Sequence, residues 1–294
     1  MPEGDTVWLA AKRMHEALAG RVLTTSDFRV PQLATVDLTG RQVIEVVPRG
    51  KHMLTRVAGG LTLHTHFRMD GSWHLYRPGD RWTGGADWQV RVVLANAEWE
   101  AVGYRLPVVE LITDESQAVG HLGPDVLAED WDPELALANL RADPDREVGM
   151  ALLDQRLLAG LGNLYRCEVL YVRGLTPWVR VGDVADLPAL VEKGRRLMMA
   201  NRDRWEQSTT GSLRYGEDHW VFERSGKPCR RCGARILTAE QGPKPYARLT
   251  YGCPRCQLGP APTPSRPPAR KDRPAGRTSY RPGGRGAAAA RRPP

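Results

Sequence analysis

Two cysteine pairs constrain this chain more than any other feature: Cys229 and Cys232 form one CxxC, Cys253 and Cys256 a second, with twenty residues between the pairs. Four thiolates at this spacing suit one tetrahedral structural Zn2+, and a small module stapled by a metal needs little core of its own. The competing reading, two disulfides or a redox pair, belongs to oxidising compartments. The N-terminus carries no basic-then-apolar export signal. The fifth cysteine, Cys167, lies in an apolar helical stretch and reads as packing.

The 294 residues are enough for two or more compact domains, and no run of 18 apolar residues argues for a membrane span. The expected compartment is the cytoplasm, the expected state a monomer. Of the 42 basic and 34 acidic residues, nine basic and one acidic lie in 258–294, so residues 1–257 carry 33 of each sign and are formally neutral. The net charge of +8 therefore sits in a tail that also holds nine of the 23 prolines. Such a composition cannot recover the entropy of ordering, so 258–294 is expected to be a disordered basic tail, either a solvated appendage with no specific job or an arm that adds salt-dependent affinity for phosphates.

The pattern of apolar residues divides the rest. Val7, Ala10, Ala11, Met14 and Leu18 recur at helical spacing, which predicts a helix from Asp5 to Leu18, ended by Gly20. From Val22 to about Ile112 the runs QVIEVV, HMLTRV, LTLHTHF and QVRVVLA are short and broken by Gly and Pro, as in a β-sandwich or barrel. After HLGPDVL (121–127) the pattern turns helical, with segments at 133–140 behind Asp132, 146–159, 163–173 and 188–205. WVFER at 220–224 reads as a strand leading into the cysteines. The fold class is thus α+β and multidomain, divided as 1–122, 123–218, 219–257 and the tail.

Two further stretches carry chemistry. In LLDQRLLAGLGNLYRCEVLY, Gly160 and Gly162 make a tight turn between helices and Asn163 opens the second; taken alone the segment reads first as a simple helical hairpin, and the alternative is an anion site of free backbone N–H groups that a phosphate can approach. In ARLTYGCPRCQ, Arg248 sits on the strand entering the second cysteine pair, at a place suited to a phosphate. His64 and His66 share one strand face and read as packing or hydrogen bonding, since no third metal ligand is evident.

PEGDTV at the N-terminus, RGKHML around Lys51, LLDQ…AGLGNLY and the motif ending CPRCQ occur in one order over residues 2–257. Together they resemble the formamidopyrimidine-DNA glycosylase and endonuclease VIII family. The resemblance implies an N-terminal β-sandwich with a flanking helix, a helix-two-turn-helix domain and a zinc finger, with damaged DNA in the cleft between domains. It implies a bifunctional enzyme in which Pro2, exposed once Met1 is removed, attacks C1′ of an oxidised nucleoside. Glu3 then moves protons and Lys51 acts beside the lesion. Asn163 and Arg248 match the family's phosphate clamps. Met69, with Arg68 beside it in HFRMDGSW, matches the wedge that fills the gap left by the extruded nucleotide; ordinary core packing is the alternative for Met69.

Two departures refine the expectation. GYRLPVVEL stands where the formamidopyrimidine branch has a DPRRFG-like motif, which favours the endonuclease VIII-like branch and oxidised pyrimidines such as thymine glycol and dihydrouracil. Arg105, Leu106 and Arg68 are then candidates to support the opposite strand. The spacing between cysteine pairs is longer than usual, with QGPKPY expected to extend the hairpin tip. A catalytically inactive zinc-finger protein that binds damaged DNA would explain the cysteines but not Pro2, Glu3 and Lys51 together. A zinc-ribbon RNA binder with a basic tail leaves the same three residues unexplained.

Overall fold

The computed structural model describes residues 2–245 and 247–260; most of the basic tail, 261–294, lies outside the described residues. Helix α1 spans Gly4–Leu18 and buries Val7, Ala11, Met14 and Leu18, the predicted apolar stripe. It packs on strand β2 (Val43–Arg49) of an antiparallel sheet ordered β2, β3 (His52–Val57), β4 (Leu61–His66), β8 (Val108–Ile112). A second antiparallel sheet is ordered β1 (Thr25–Phe28), β6 (Val90–Ala95), β7 (Glu100–Tyr104), β5 (Ser72–Tyr76). Met53, Leu63, Val92, Leu94 and Ala101 are buried in a core that α1 shares. This is the expected sandwich with its flanking helix.

The helical part follows: α2 (Ser116–Val119), α3 (Pro133–Arg141), α4 (Val148–Ala151), α5 (Asn163–Val172) and α6 (Leu187–Asn201). Asp132 caps α3 as expected, accepting the Leu135 N–H at 2.9 Å. The helix predicted over 146–159 shrinks to the single turn of α4. Asp154 instead accepts from the Arg146 and Arg156 side chains and from the Arg156 backbone N–H, which closes the chain into turns.

Helix α5 is the hub of this half. Every residue from Asn163 to Tyr171 is buried, so a helix walled in on all sides must satisfy its polar side chains internally. The Arg166 guanidinium is fully buried with no carboxylate partner among the described residues; it donates to the Gln241 and Asn163 side-chain oxygens at 2.9 and 2.5 Å and to Thr250 Oγ1 at 2.6 Å. Those bonds fasten α5 to a hairpin of β9 (Leu237–Gln241) and β10 (Arg248–Gly252), whose connecting tip is the expected QGPKPY region.

Glu168 explains why 220–224 is not a strand. Its carboxylate accepts the N–H groups of Trp220, Val221 and Phe222, each at 2.8 Å, and the Thr209 hydroxyl. Three consecutive amides pointing at one carboxylate cannot also alternate into a sheet ladder. Glu168→Ala leaves these buried donors unpaired, and we expect it to cost at least about 3 kcal/mol. Denaturant unfolding measures that loss, and limited proteolysis should show new cleavage between residues 203 and 219.

Candidate active site and metal centre

Pro2 is partly exposed at the start of α1, and the next residue, Glu3, is almost wholly buried. The Glu3 carboxylate lies across the N-terminus of α5: Oε2 accepts from Gly162 N–H at 2.9 Å, Oε1 from Leu164 N–H at 2.7 Å, and Tyr165 N–H approaches Oε2 at 3.5 Å. The anion site expected at AGLGN is therefore present, and Glu3 itself is the anion in it. The glycines serve that carboxylate; a Cβ on Gly162 would come within 2.4 Å of the Glu3 Cδ.

Below Glu3 lies Asp5, also buried, accepting the Tyr165 hydroxyl at 2.5 Å and the Gln207 amide at 2.8 and 3.0 Å. Desolvation raises the Glu3 pKa, an effect that the Lys51 charge opposes and the Asp5 charge reinforces. Lys51, in the turn between β2 and β3, is pushed below the usual ammonium range by desolvation, partly offset by the Glu3 charge, with Arg248 lowering it further. Glu3, Asp5 and Arg248 thus all act on Lys51, although the two acids, Lys51 and Arg248 come from distant parts of the chain.

Asp125 fixes the Lys51 turn. Its carboxylate accepts the Gly50 N–H at 2.6 Å and the Leu127 N–H at 3.0 Å, so the turn is bonded to the start of the helical part. Gly50 adopts φ of +58° and lies close enough to Ala159 that an added Cβ would sit 3.2 Å from its methyl. Sequence reasoning overlooked Asp125, Arg166, Glu168 and Gln207. Asp5 alone carried a signal, as a second acid within PEGDTV.

The remaining expected residues fall as follows. Asn163 is buried; its amide donates to the Leu249 carbonyl at 2.9 Å and its oxygen receives Arg166, so it holds β10 rather than facing outward. Arg248 is exposed on β10, with no ion pair to a described residue. Met69 is 61% exposed on the β4–β5 loop, which removes the core-packing reading, and Arg68 beside it is exposed with φ of +44°. Two candidates for the opposite strand drop out. Leu106 is 2% exposed in the sandwich core, and Arg105 is spent bracing the loop, donating to the Asp70 carbonyl at 3.1 Å and Gln89 Oε1 at 2.9 Å.

The four cysteine sulfurs lie within 4.8 Å of one another. The pairs Cys229–Cys256 and Cys232–Cys253 are 3.8 and 3.4 Å apart, far beyond a disulfide bond. A tetrahedron of thiolates about 2.3 Å from a metal has edges of about 3.8 Å, so the set fits a bound metal ion. Cys167 is buried in α5, as packing requires.

Formamidopyrimidine-DNA glycosylase models match the chain twice, the N-terminal domain over residues 1–106 and the H2TH domain over 122–185. A Streptomyces coelicolor protein named probable endonuclease 8 2 is 57% identical over 289 residues, covering 96% of this chain and 99% of its own. The chain belongs to the formamidopyrimidine-DNA glycosylase and endonuclease 8 family. A Mycolicibacterium smegmatis relative named DNA-(apurinic or apyrimidinic site) lyase Nei2 is 44% identical over 87% of this chain and 99% of its own, and an Escherichia coli endonuclease 8 is 33% identical over 87% and 100%. The fold matches a structure of MutM in complex with DNA containing carbocyclic 8-oxo-G, with TM-score 0.72 at 23% identity over 88% of this chain and all of that one. A Lactococcus lactis formamidopyrimidine-DNA glycosylase bound to abasic-site DNA matches with TM-score 0.71 at 22% identity over the same shares.

Beside Lys51, His52 Nδ1 lies 2.8 Å from His64 Nε2, and His64 Nδ1 lies 3.0 Å from Glu110 Oε2, so these histidines are hydrogen-bonded as expected. His66 Nδ1 accepts the Arg68 N–H at 2.9 Å. Desolvation, helped by neighbouring positive charge, lowers His52 to about 3 and His66 to about 4. In the unfolded chain both take up a proton near pH 6.5, whereas in the folded chain they stay neutral far below it. Their contribution is therefore fully present above pH 6.5 and is lost as pH falls toward 4. We expect the thermal midpoint to drop between pH 7 and 5, and His52→Asn to flatten that slope.

Proposed function

We propose that this protein is a bifunctional DNA glycosylase and abasic-site lyase of base excision repair, acting on oxidised bases with a preference for pyrimidines. The observation that carries the reading is the N-terminus itself. Pro2 stands directly before a buried carboxylate of raised pKa, and the charge that acts on that carboxylate belongs to Lys51, whose own pKa is lowered; a proton donor and acceptor are thus paired at the residue that follows a secondary amine.

With Met1 removed, the neutral Pro2 nitrogen attacks C1′, and the glycosidic bond breaks with its electron pair leaving on the base, which takes a proton. The Pro2 nitrogen then gives up its proton and the C1′–O4′ bond breaks, its electron pair leaving on O4′, which is protonated as the sugar ring opens; the secondary amine is left as a cationic iminium, an electron sink that acidifies the C2′ hydrogens. Removal of one C2′ proton expels the 3′ phosphate by β-elimination; a second elimination expels the 5′ phosphate, and water then releases the sugar fragment from Pro2. Glu3 carries protons in these steps, its position fixed by the amides of α5. Lys51 holds a phosphate or passes a proton at the same centre.

Arg248 is the phosphate contact of the hairpin, and Asn163 supports it by holding its chain neighbour Leu249. Met69, with Arg68, enters the base stack when the damaged nucleotide is turned out. We assign these roles to three working parts, 1–122, 123–218 and 219–257, acting as a monomer on nucleoid DNA in the cytoplasm. The four cysteines hold one Zn2+, which fixes the hairpin bearing Arg248 and supplies no chemistry to the reaction.

Borohydride added during turnover on DNA with a single thymine glycol should reduce the iminium to a covalent adduct with the wild type and none with Pro2→Gly. Absence of adduct on thymine glycol, 8-oxoguanine and a plain abasic site, with DNA still shifted on a gel, would replace the enzyme by a binding protein. Metal analysis should find one zinc per chain. Stripping it with a chelator should lower affinity for abasic-site DNA at least tenfold, on the order of 1.4 kcal/mol, while the β-sandwich retains its circular dichroism.

A further inference from the structure

The carboxylate of Asp5 does more than fill space beneath Glu3: it fixes which way round one amide stands. Gln207 Nε2 donates to both Asp5 oxygens, at 2.8 and 3.0 Å, and lies 3.4 Å from Thr6 Oγ1. The same carboxylate also receives the Tyr165 hydroxyl and the Thr6 N–H, so its lone pairs all face donors. A glutamine flipped the other way would set its carbonyl against that carboxylate. Its Oε1 is therefore held away from Asp5, and it accepts no hydrogen bond from a described residue.

Gln207 lines a mainly polar cavity of about 380 Å3, together with Leu164, Trp205, Glu206 and Tyr215. That volume is within the range of about 300–1,000 Å3 for small-ligand sites. Two of its walls are direct partners of the N-terminal acids: Leu164 N–H binds Glu3, and the Gln207 amide binds Asp5. A base turned out of the helix toward Pro2 approaches Glu3, whose carboxylate is bonded to Leu164 in the wall of this cavity.

We infer that Gln207 Oε1 is a specificity-determining acceptor in the base cavity, selecting oxidised pyrimidines whose ring N3 carries a hydrogen. Uracil-type and thymine-type lesions offer an N3–H donor, whereas cytosine-type lesions present a lone pair at N3, which repels a fixed carbonyl oxygen. A rigid acceptor discriminates because it cannot rotate to offer a donor instead. The inference rests on the glycosylase reading above and names the class of base that the site takes.

The test compares duplexes carrying 5-hydroxyuracil or 5-hydroxycytosine, which differ only in the C4 substituent and the N3 hydrogen, in single-turnover excision by the full chain. The wild type should remove 5-hydroxyuracil at least about tenfold faster, and Gln207→Met should bring the ratio of the two rates close to one. Because preference is a ratio within each protein, a general loss of activity in the variant cancels. Equal rates or a 5-hydroxycytosine preference in the wild type overturn the inference, as does an unchanged ratio in Gln207→Met. Borohydride trapping on a preformed abasic site separates the two failures. A trapped adduct with no base preference refutes the role of Gln207 alone, and no adduct at all refutes the glycosylase reading.

Discussion

One carboxylate, that of Glu3, joins the two halves of this molecule. It is taken out of water, a cost that only close donors can offset, and the N-terminus of α5 supplies them as two short amide bonds and one longer one. The helix dipole adds to their effect. Because the acid directly follows Pro2 in the chain, this contact also fixes where Pro2 stands relative to the helical part. The backbone adds its own bond, Gly4 N–H to Gly160 carbonyl at 3.0 Å, which requires chain segments so close that a Cβ on Gly4 would meet the Gly160 Cα at 3.0 Å.

Around that contact α5 distributes constraint in three directions. Asn163 and Arg166 reach the hairpin, Glu168 reaches the amides of 220–222, and Tyr165 reaches Asp5. Each is a polar side chain on a buried helix, and each costs stability unless its partner is in place. The N-terminal acids, the loop holding Gln207 and the strand bearing Arg248 are therefore not positioned independently. Asp125 extends the same logic to Lys51 through Gly50, so all the proposed catalytic groups are referred to one rigid region.

What the sequence disclosed follows from how local each signal is. The cysteine pairs, the stripe of α1 and the Asp132 cap depend on neighbours a few residues apart, and all were legible. The wiring of the site was not: Glu3 with Leu164 and Asp5 with Gln207 join residues 161 and 202 apart in sequence. Two local signals misled for physical reasons. WVFER alternates like a strand, but its amides are claimed by Glu168. AGLGN has the glycines of a phosphate loop, but the anion it accommodates belongs to the chain.

The formal neutrality of residues 1–257 takes on meaning in this light. A broadly basic surface would attract DNA anywhere, whereas here Lys51 lies close enough to Glu3 for each to alter the other's proton affinity, with Arg248 lowering that of Lys51. In the free protein desolvation outweighs the attraction between the acids and Lys51, so Lys51 is held less charged than an exposed lysine and Glu3 more easily protonated than an exposed glutamate. A phosphate entering beside Lys51 adds negative charge, which favours the ammonium form and raises the proton affinity of Glu3 further. Docking of a phosphate and loading of protons on Lys51 and Glu3 are then a single electrostatic event.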